Sequence, residues 1–297
     1  MSWALGIDIG GTNLKAVAVA SDGAMLRRDA LPTGASVGTA AGWIAAARSL
    51  VDQFARAQGS SPARIGFSTC GLAAHDGRSV ADCPGKLAGI VGVDWTAALG
   101  RDELVPVLND AHAALAGEAW CGAARGRRDV VLLTLGTGIG GAILSEGRLV
   151  RGAIGRAGHL GHVSLDPEGP ASIVGMPGAI EMLFGDATVP ARTRGRFAST
   201  AALVAAHQAG DAEASAVWLR SVRDLACAIG GYINVLDPEM IVIGGGIAQA
   251  GEALFAPLAE NLNRYEWRPR GHRVPIVRAE LGEWAGAIGA ARNAMGV

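Results

Sequence analysis

At 297 residues the chain exceeds the usual single-domain size, and its half-hydrophobic composition supplies enough apolar side chains for two cores. Its 26 basic and 27 acidic residues cancel to a net charge of −1, which excludes the strong field that draws nucleic acid or an anionic membrane. Small molecules or other subunits are the expected partners. The chain starts without a basic leader pattern and holds no run of roughly 18 apolar residues, so a cytoplasmic location is expected. Cys70, Cys83, Cys121 and Cys227 lack CxxC spacing and read as free thiols of a reducing compartment.

Trp3 to Ile9 reads as a strand, followed by a Gly turn, a second apolar strand from Leu14 to Ala20, a Ser21-Asp22-Gly23 turn and a third strand. Residues 36 to 59 carry helical periodicity, with Trp43, Ile44, Ala47, Leu50, Val51 and Phe54 on one face. Ala63 to Thr69 returns as a buried strand. A short strand from Leu104 to Leu108 ends in Asn109-Asp110 and enters an Ala-rich helix from Ala111 to about Gly122.

A similar pattern then begins again. Val130 to Leu135 leads into Gly136-Thr137-Gly138-Ile139-Gly140-Gly141 and another apolar strand, matching in kind Leu5-Gly6-Ile7-Asp8-Ile9-Gly10-Gly11-Thr12. Two related lobes from an internal duplication are expected. A loop-rich stretch covers Gly152 to Gly178, before a helix near Ala179 to Phe184 and a long apolar helix from about Ala212 to Leu236. The strand Met240 to Ile243 stops at Gly244-Gly245-Gly246, and a helix over 249–264, a strand from Val274 to Val277 and a last helix from about Trp284 to Met295 complete an α/β alternation.

Three Gly-rich turns each follow an apolar strand, where backbone N–H groups can wrap phosphate oxygens with no Cβ in the way. One such turn is most often a plain hairpin; three, with Thr12 and Thr137 as added donors, point to a nucleotide. Gly-x-x-x-x-Gly-Lys-Ser/Thr is absent, and the turn at Gly136 lacks the downstream helix of a dinucleotide fingerprint. A phosphate clamp shared by two lobes fits better. Asp8, at a strand end beside the first turn, suits the water shell of a Mg2+ ion; it can also serve as a turn-capping residue. Asp110 is either a helix cap or the general base that takes a proton from a substrate hydroxyl attacking a γ-phosphoryl group.

Asp8-Ile9-Gly10-Gly11-Thr12-Asn13, Asn109-Asp110, Leu135 through Gly141, Gly161-His162 and Ile243-Gly244-Gly245-Gly246, in that order across nearly the whole chain, resemble the ROK sugar kinases. The resemblance implies a two-lobed actin-like (ribonuclease H-like) fold with an interlobe active-site cleft. It also implies ATP and Mg2+, a hexose-type acceptor phosphorylated at its primary hydroxyl, and a homodimer. Carried over by position, Asp8, Gly10, Gly11, Thr12, Asn13, Thr137 and Gly138 become phosphate and metal contacts. Gly244, Gly245 and Gly246 become the nucleoside-side loop and Asp110 the catalytic base. Gly71, Asn109, His162 and Glu181 become substrate contacts.

The family pattern breaks in three places. Many ROK proteins bind a structural zinc through Cys-x-Cys-Gly-x-x-Gly-Cys-x-Glu, but this chain has Ser172, Val174 and Ala179 at the thiolate positions. No zinc site is expected there, and packing by Val174, Ile180 and Met182 is expected to hold the loop instead. The family's Glu-x-Gly-His becomes His159-Leu160-Gly161-His162, exchanging an acceptor-only carboxylate for a ring that also donates. Lys86 aligns with a family Asn; it either brings positive charge to an acceptor with extra oxygens or negative charge, or faces solvent.

A smaller lobe of residues 1–112 plus about 283–297 and a larger one of 113–282 are expected, hinged near 110–113 and 281–284. A ROK-type repressor would need a DNA-reading segment before Asp8, for which no room is expected. The same motifs would also suit a non-catalytic sugar or nucleotide sensor, or a kinase that takes polyphosphate as its donor.

Overall fold

A computed structural model describes residues 2–33 and 38–296; residues 36 and 37, the start of the first expected helix, lie outside the described residues. The chain forms two units, Met1–Gly126 with Leu149–Gly158 and Glu280–Val297, and Arg127–Arg148 with His159–Ala279.

The first unit begins with the expected meander, β1 (Trp3–Ile9), β2 (Asn13–Ala20) and β3 (Met25–Pro32). Helix α1 (Ala40–Gln58) starts where Thr39 accepts the Gly42 N–H at 3.1 Å and stops at left-handed Gly59 (φ 68°). It buries Trp43, Ala47, Leu50 and Phe54, the stripe that its periodicity predicts. Then come β4 (Arg64–Thr69), a hairpin of β5 (Leu72–Ala73) and β6 (Val80–Asp82), a short α2 (Trp95–Ala98), β7 (Val107–Asn109) and α3 (Asp110–Cys121).

The second unit holds β8 (Val130–Leu135), β9 (Ile139–Ser145), β10 (Arg148–Leu149) at the unit boundary, α4 (Ile180–Phe184), α5 (Val189–Arg192), α6 (Thr200–Gln208), α7 (Ala212–Leu236), β11 (Met240–Gly244), α8 (Glu252–Tyr265) and β12 (Ile276–Arg278). The last helix, α9 (Ala285–Ala294), belongs to the first unit.

The two sheets share one plan. The first runs β3-β2-β1-β4-β7 and the second β10-β9-β8-β11-β12. In each, an antiparallel pair, β1 with β2 or β8 with β9, is followed by strands added in parallel. This common order is the structural counterpart of the repeat read from the two glycine-rich segments.

Helix α9 explains why the first unit keeps α3 and extends to Gly126 instead of ending at 112. A Cβ on Gly289 would collide with the Ala113 carbonyl, and one on Gly6 with the Ala287 carbonyl, so α9 packs backbone to backbone on α3 and β1. His112 Nε2 donates to Ala157 O at 2.9 Å and fastens residues 149–158 to the same unit. Glu118, fully buried, accepts the Leu281 N–H at 2.9 Å and holds the entry to α9.

Several element bounds differ from expectation, each at a proline or glycine. The strand expected from Leu104 begins only at Val107, because Pro106 has no N–H to pair and serves as acceptor for Phe67 N at 2.8 Å. Likewise β12 starts after Pro275. The helix expected over 249–264 is a 3-10 turn, Gly246–Ala250, then a break at Gly251 (φ 56°) and α8. Helix α6 was not anticipated, although Ser199, which accepts the Ala202 N–H at 3.3 Å, is a readable cap before an Ala-rich run. Among the described residues no helix is long and apolar enough to cross a membrane.

Candidate active site

In the first unit, Asp8 and Ser68 are side-by-side partners on the parallel strands β1 and β4. Ser68 Oγ donates to Asp8 Oδ1 at 2.7 Å. Desolvation by the surrounding protein pushes the Asp8 carboxyl up to about 6, reinforced by the charge of Asp110 and opposed by the Ser68 hydrogen bond and Lys15. A Cβ on Gly286 would sit 3.0 Å from Asp8 Oδ1 and 3.1 Å from Ser68 Oγ, so a side chain there would crowd the carboxylate. Sequence reasoning missed Ser68 and Gly286; the readable signal was a hydroxyl within the apolar run Ile65-Gly66-Phe67-Ser68.

The first glycine turn joins β1 to β2. Gly10 N donates to Asn13 O at 3.0 Å, and Thr33 closes the other side, its hydroxyl donating to Gly10 O at 2.9 Å. Gly11 and Thr12 remain exposed, with open space around Gly11.

Asn109, and not Asp110, takes the cap of α3. Asn109 is the cap of α3: its Oδ1 accepts from Ala111 N at 3.0 Å and His112 N at 3.4 Å, while its Nδ2 donates to Gly71 O at 2.9 Å. Asp110 is therefore free of the capping role. The residue has an exposed surface, while its carboxylate, close among protein groups, takes the Ala111 N–H at 2.8 Å at the positive end of α3. Crowding by protein raises its proton affinity above the usual carboxylate range, against the Ala111 N–H and the charge of Lys86. Lys86 is exposed to solvent, and its charge reaches Asp110. Gly71 takes φ 92°, and a Cβ there would strike the Asp82 carbonyl.

In the second unit, the turn from β8 to β9 is held by Gly136 N donating to Gly138 O at 3.0 Å, with Thr137 exposed. A Cβ on Gly245 (φ 86°) would collide with Leu135 O, so the Gly244-Gly245-Gly246 turn lies directly against the start of the Gly136 turn. Glu181, on α4, reaches the same turn: a Cβ on Gly138 would be 2.6 Å from Glu181 Oε2. Glu181 Oε1 is 3.2 Å from His162 Nδ1. The His162 ring lies parallel to that of His159, with centroids 6.2 Å apart. The second unit thus gathers Thr137, Gly138, Gly245, Glu181, His159 and His162 around one turn.

Of the three residues expected to hold the loop before α4, Ile180 is buried and Met182 half-buried, but Val174 is 46 % exposed and its neighbours Ile173 and Met176 also face solvent. A polar hairpin holds that outer part. Ser172, buried at a family cysteine position, donates its N–H to Met176 O at 2.9 Å and accepts Met176 N at its hydroxyl at 3.3 Å. Ser164 Oγ donates to Pro177 O at 2.6 Å, and Ile180, which is buried, donates its N–H to Val163 O at 2.9 Å.

A family model described as the ROK family matches residues 4–296. The chain belongs to the ROK family. An N-acetylmannosamine kinase of Escherichia coli strain SE11 is 33 % identical over 98 % of each chain. Among solved structures, a ROK hexokinase from Thermus thermophilus superposes with a TM-score of 0.88 at 30 % identity, covering 99 % of this chain and 98 % of its own. A ROK glucokinase from Streptomyces griseus, in complex with glucose and AMPPNP, superposes with a TM-score of 0.80 at 26 % identity over the full length of both. This ROK protein accordingly has the actin-like kinase fold and is an ATP-using sugar kinase.

Proposed function

We propose that this sugar kinase transfers the γ-phosphoryl group of ATP to the primary hydroxyl of a hexose-type sugar, with Asp110 as general base. The observation that supports this reading is the division at the start of α3: Asn109 caps the helix, leaving Asp110 with an exposed surface and a desolvated carboxyl within reach of the Lys86 charge. A carboxylate whose proton affinity is raised accepts a hydroxyl proton more readily than an ordinary one.

The exposed turn at Gly11 and Thr12, closed by Gly10 and Asn13, and the turn at Thr137 and Gly138 would hold phosphate oxygens; Gly244, Gly245 and Gly246 would border the nucleoside. Asp8 fits a Mg2+ ion through its water shell: the carboxylate is a hard oxygen donor, ionised above about pH 6, and Gly286 beside it carries no side chain to crowd it. When bound, the metal neutralises charge on the phosphate oxygens. Gly71 and Asn109 would shape the sugar side of the first unit, and His162 and Glu181 would take sugar hydroxyls.

The acceptor we infer carries extra oxygens or negative charge, as N-acetylated or acidic sugars do. His159 supports this, a ring that can donate where the family has a carboxylate, and so does the cation of Lys86. A homodimer in the cytoplasm completes the proposal.

A coupled ADP-release assay across hexoses, N-acetylhexosamines and acidic sugars tests it, with ATP and polyphosphate as donors. Turnover lost in Asp110→Ala supports the base. Full activity in that variant would overturn it, and a strong preference for plain glucose would sink the modified-acceptor reading.

A further inference from the structure

We infer that Cys70 and Cys83 form a redox-active dithiol whose closure to a disulfide switches off the start of α3. The two sulfurs are 3.5 Å apart, 13 residues apart in sequence, and sit where the β5–β6 hairpin meets the end of β4. The backbone is already close at this point. A Cβ on Gly71, the residue after Cys70, would be 2.9 Å from Cys83 Cβ and 3.1 Å from its Cα, so the two chain segments are in close contact. Closing the bond brings the sulfurs from 3.5 Å to about 2.05 Å.

The surroundings favour the reaction. The hydrogen bond between the two sulfurs, aided by the nearby Lys86, holds Cys83 below the ordinary thiol range despite its burial. Cys70 keeps a partly exposed surface. With hydrogen peroxide as oxidant, the Cys83 thiolate attacks one oxygen, the O–O bond breaks, and a sulfenic acid forms with hydroxide leaving. The Cys70 sulfur then attacks Cys83 sulfur, the S–O bond breaks, and the Cys70 proton departs with the hydroxyl as water. Two thiols lose two electrons and one peroxide becomes two waters.

The consequence is carried by one peptide unit. Cys70 is followed by Gly71, whose carbonyl accepts Asn109 Nδ2 at 2.9 Å, and Asn109 caps the helix on which Asp110 is the first residue. Drawing Cys70 toward Cys83 displaces that carbonyl and with it the cap. Cys121 and Cys227, without a thiol neighbour among the described residues, serve as internal controls.

The test treats the full chain with hydrogen peroxide, blocks remaining thiols, and maps linked peptides by mass spectrometry. Amide exchange at Ala111 and His112 and sugar turnover are followed in parallel. The expected result is a Cys70–Cys83 link, faster exchange at both amides, and turnover lower by roughly a hundredfold, the scale of a 1 Å misplacement, all restored by dithiothreitol. Cys70→Ser and Cys83→Ser should each keep turnover in reducing buffer and lose the response. The effect on turnover rests on the proposed role of Asp110; the link and the amide exchange do not, so failure of either reading is distinguishable. Oxidation confined to Cys121 and Cys227, or a Cys70–Cys83 link that leaves exchange and turnover unchanged, overturns the inference.

Discussion

Ser68 Oγ donates to Asp8 Oδ1 at 2.7 Å from the neighbouring parallel strand, and so tunes the carboxylate that faces the first glycine turn. The hydrogen bond favours the ionised form, opposing desolvation. Ser68→Ala removes it and raises the proton affinity of Asp8 further. The acidic limb of the kcat profile should move upward by about one pH unit, the equivalent of roughly 1.4 kcal/mol. An unmoved profile would show that Asp8 ionisation does not govern turnover.

Asp8 also links stability to pH. Its folded value, about 6, exceeds its unfolded one, 3.8, so the folded chain holds the proton more tightly. The stabilisation that follows is fully present below the unfolded value and is lost as pH rises through about 6. Asp8→Asn never carries the buried charge. Its melting temperature should exceed that of the parent at pH 8 by about 3 °C, and the gap should narrow as pH falls through about 6 and close below the unfolded value of 3.8. Thermal melts at the two pH values check both the sign and the window.

Asn109 is predicted to matter for the fold as well as for the site. Asn109→Ala loses the α3 cap and the bond to Gly71, each worth about 1 kcal/mol. Asn109→Asp keeps the cap but sets a carboxylate against the Gly71 carbonyl. Urea unfolding should therefore give a smaller loss for Asp than for Ala, while both variants lose turnover because Asp110 follows directly in the chain. Equal stability of all three proteins would contradict the capping assignment.

Gly138 and Glu181 are coupled by space. A Cβ at position 138 would be 2.6 Å from Glu181 Oε2, and the flexible carboxylate would yield before the backbone. Gly138→Ala should raise the KM for sugar by about tenfold, some 1.4 kcal/mol of binding, with a lesser change in the KM for ATP. The reverse pattern would place Glu181 on the nucleotide side.

The sequence was sufficient for the regular elements wherever local pattern and burial agree. The stripe of Trp43, Ala47, Leu50 and Phe54, the hydrophobic run of β8 and the length of α7 all follow from periodicity, because each element buries one continuous face. It also sufficed for the ordered glycine motifs, since a strand followed by a Gly turn is a local feature. Element ends at Pro106, Gly251 and Pro275 were missed because a single residue without an N–H, or with left-handed backbone, overrides an apolar pattern.

Tertiary structure alone decided the pairings. Asp8 with Ser68, Gly138 with Glu181 and Cys70 with Cys83 join residues on different elements, which no spacing in the chain encodes. It decided that Asn109 and not Asp110 caps α3, because both types suit that position and only the backbone geometry of the strand end chooses between them. It also kept Ile180 of the expected apolar staple before α4 but left Val174 in solvent, where a hairpin around Ser172 holds the chain, since a loop rich in glycine and proline buries too little surface to be held by packing alone.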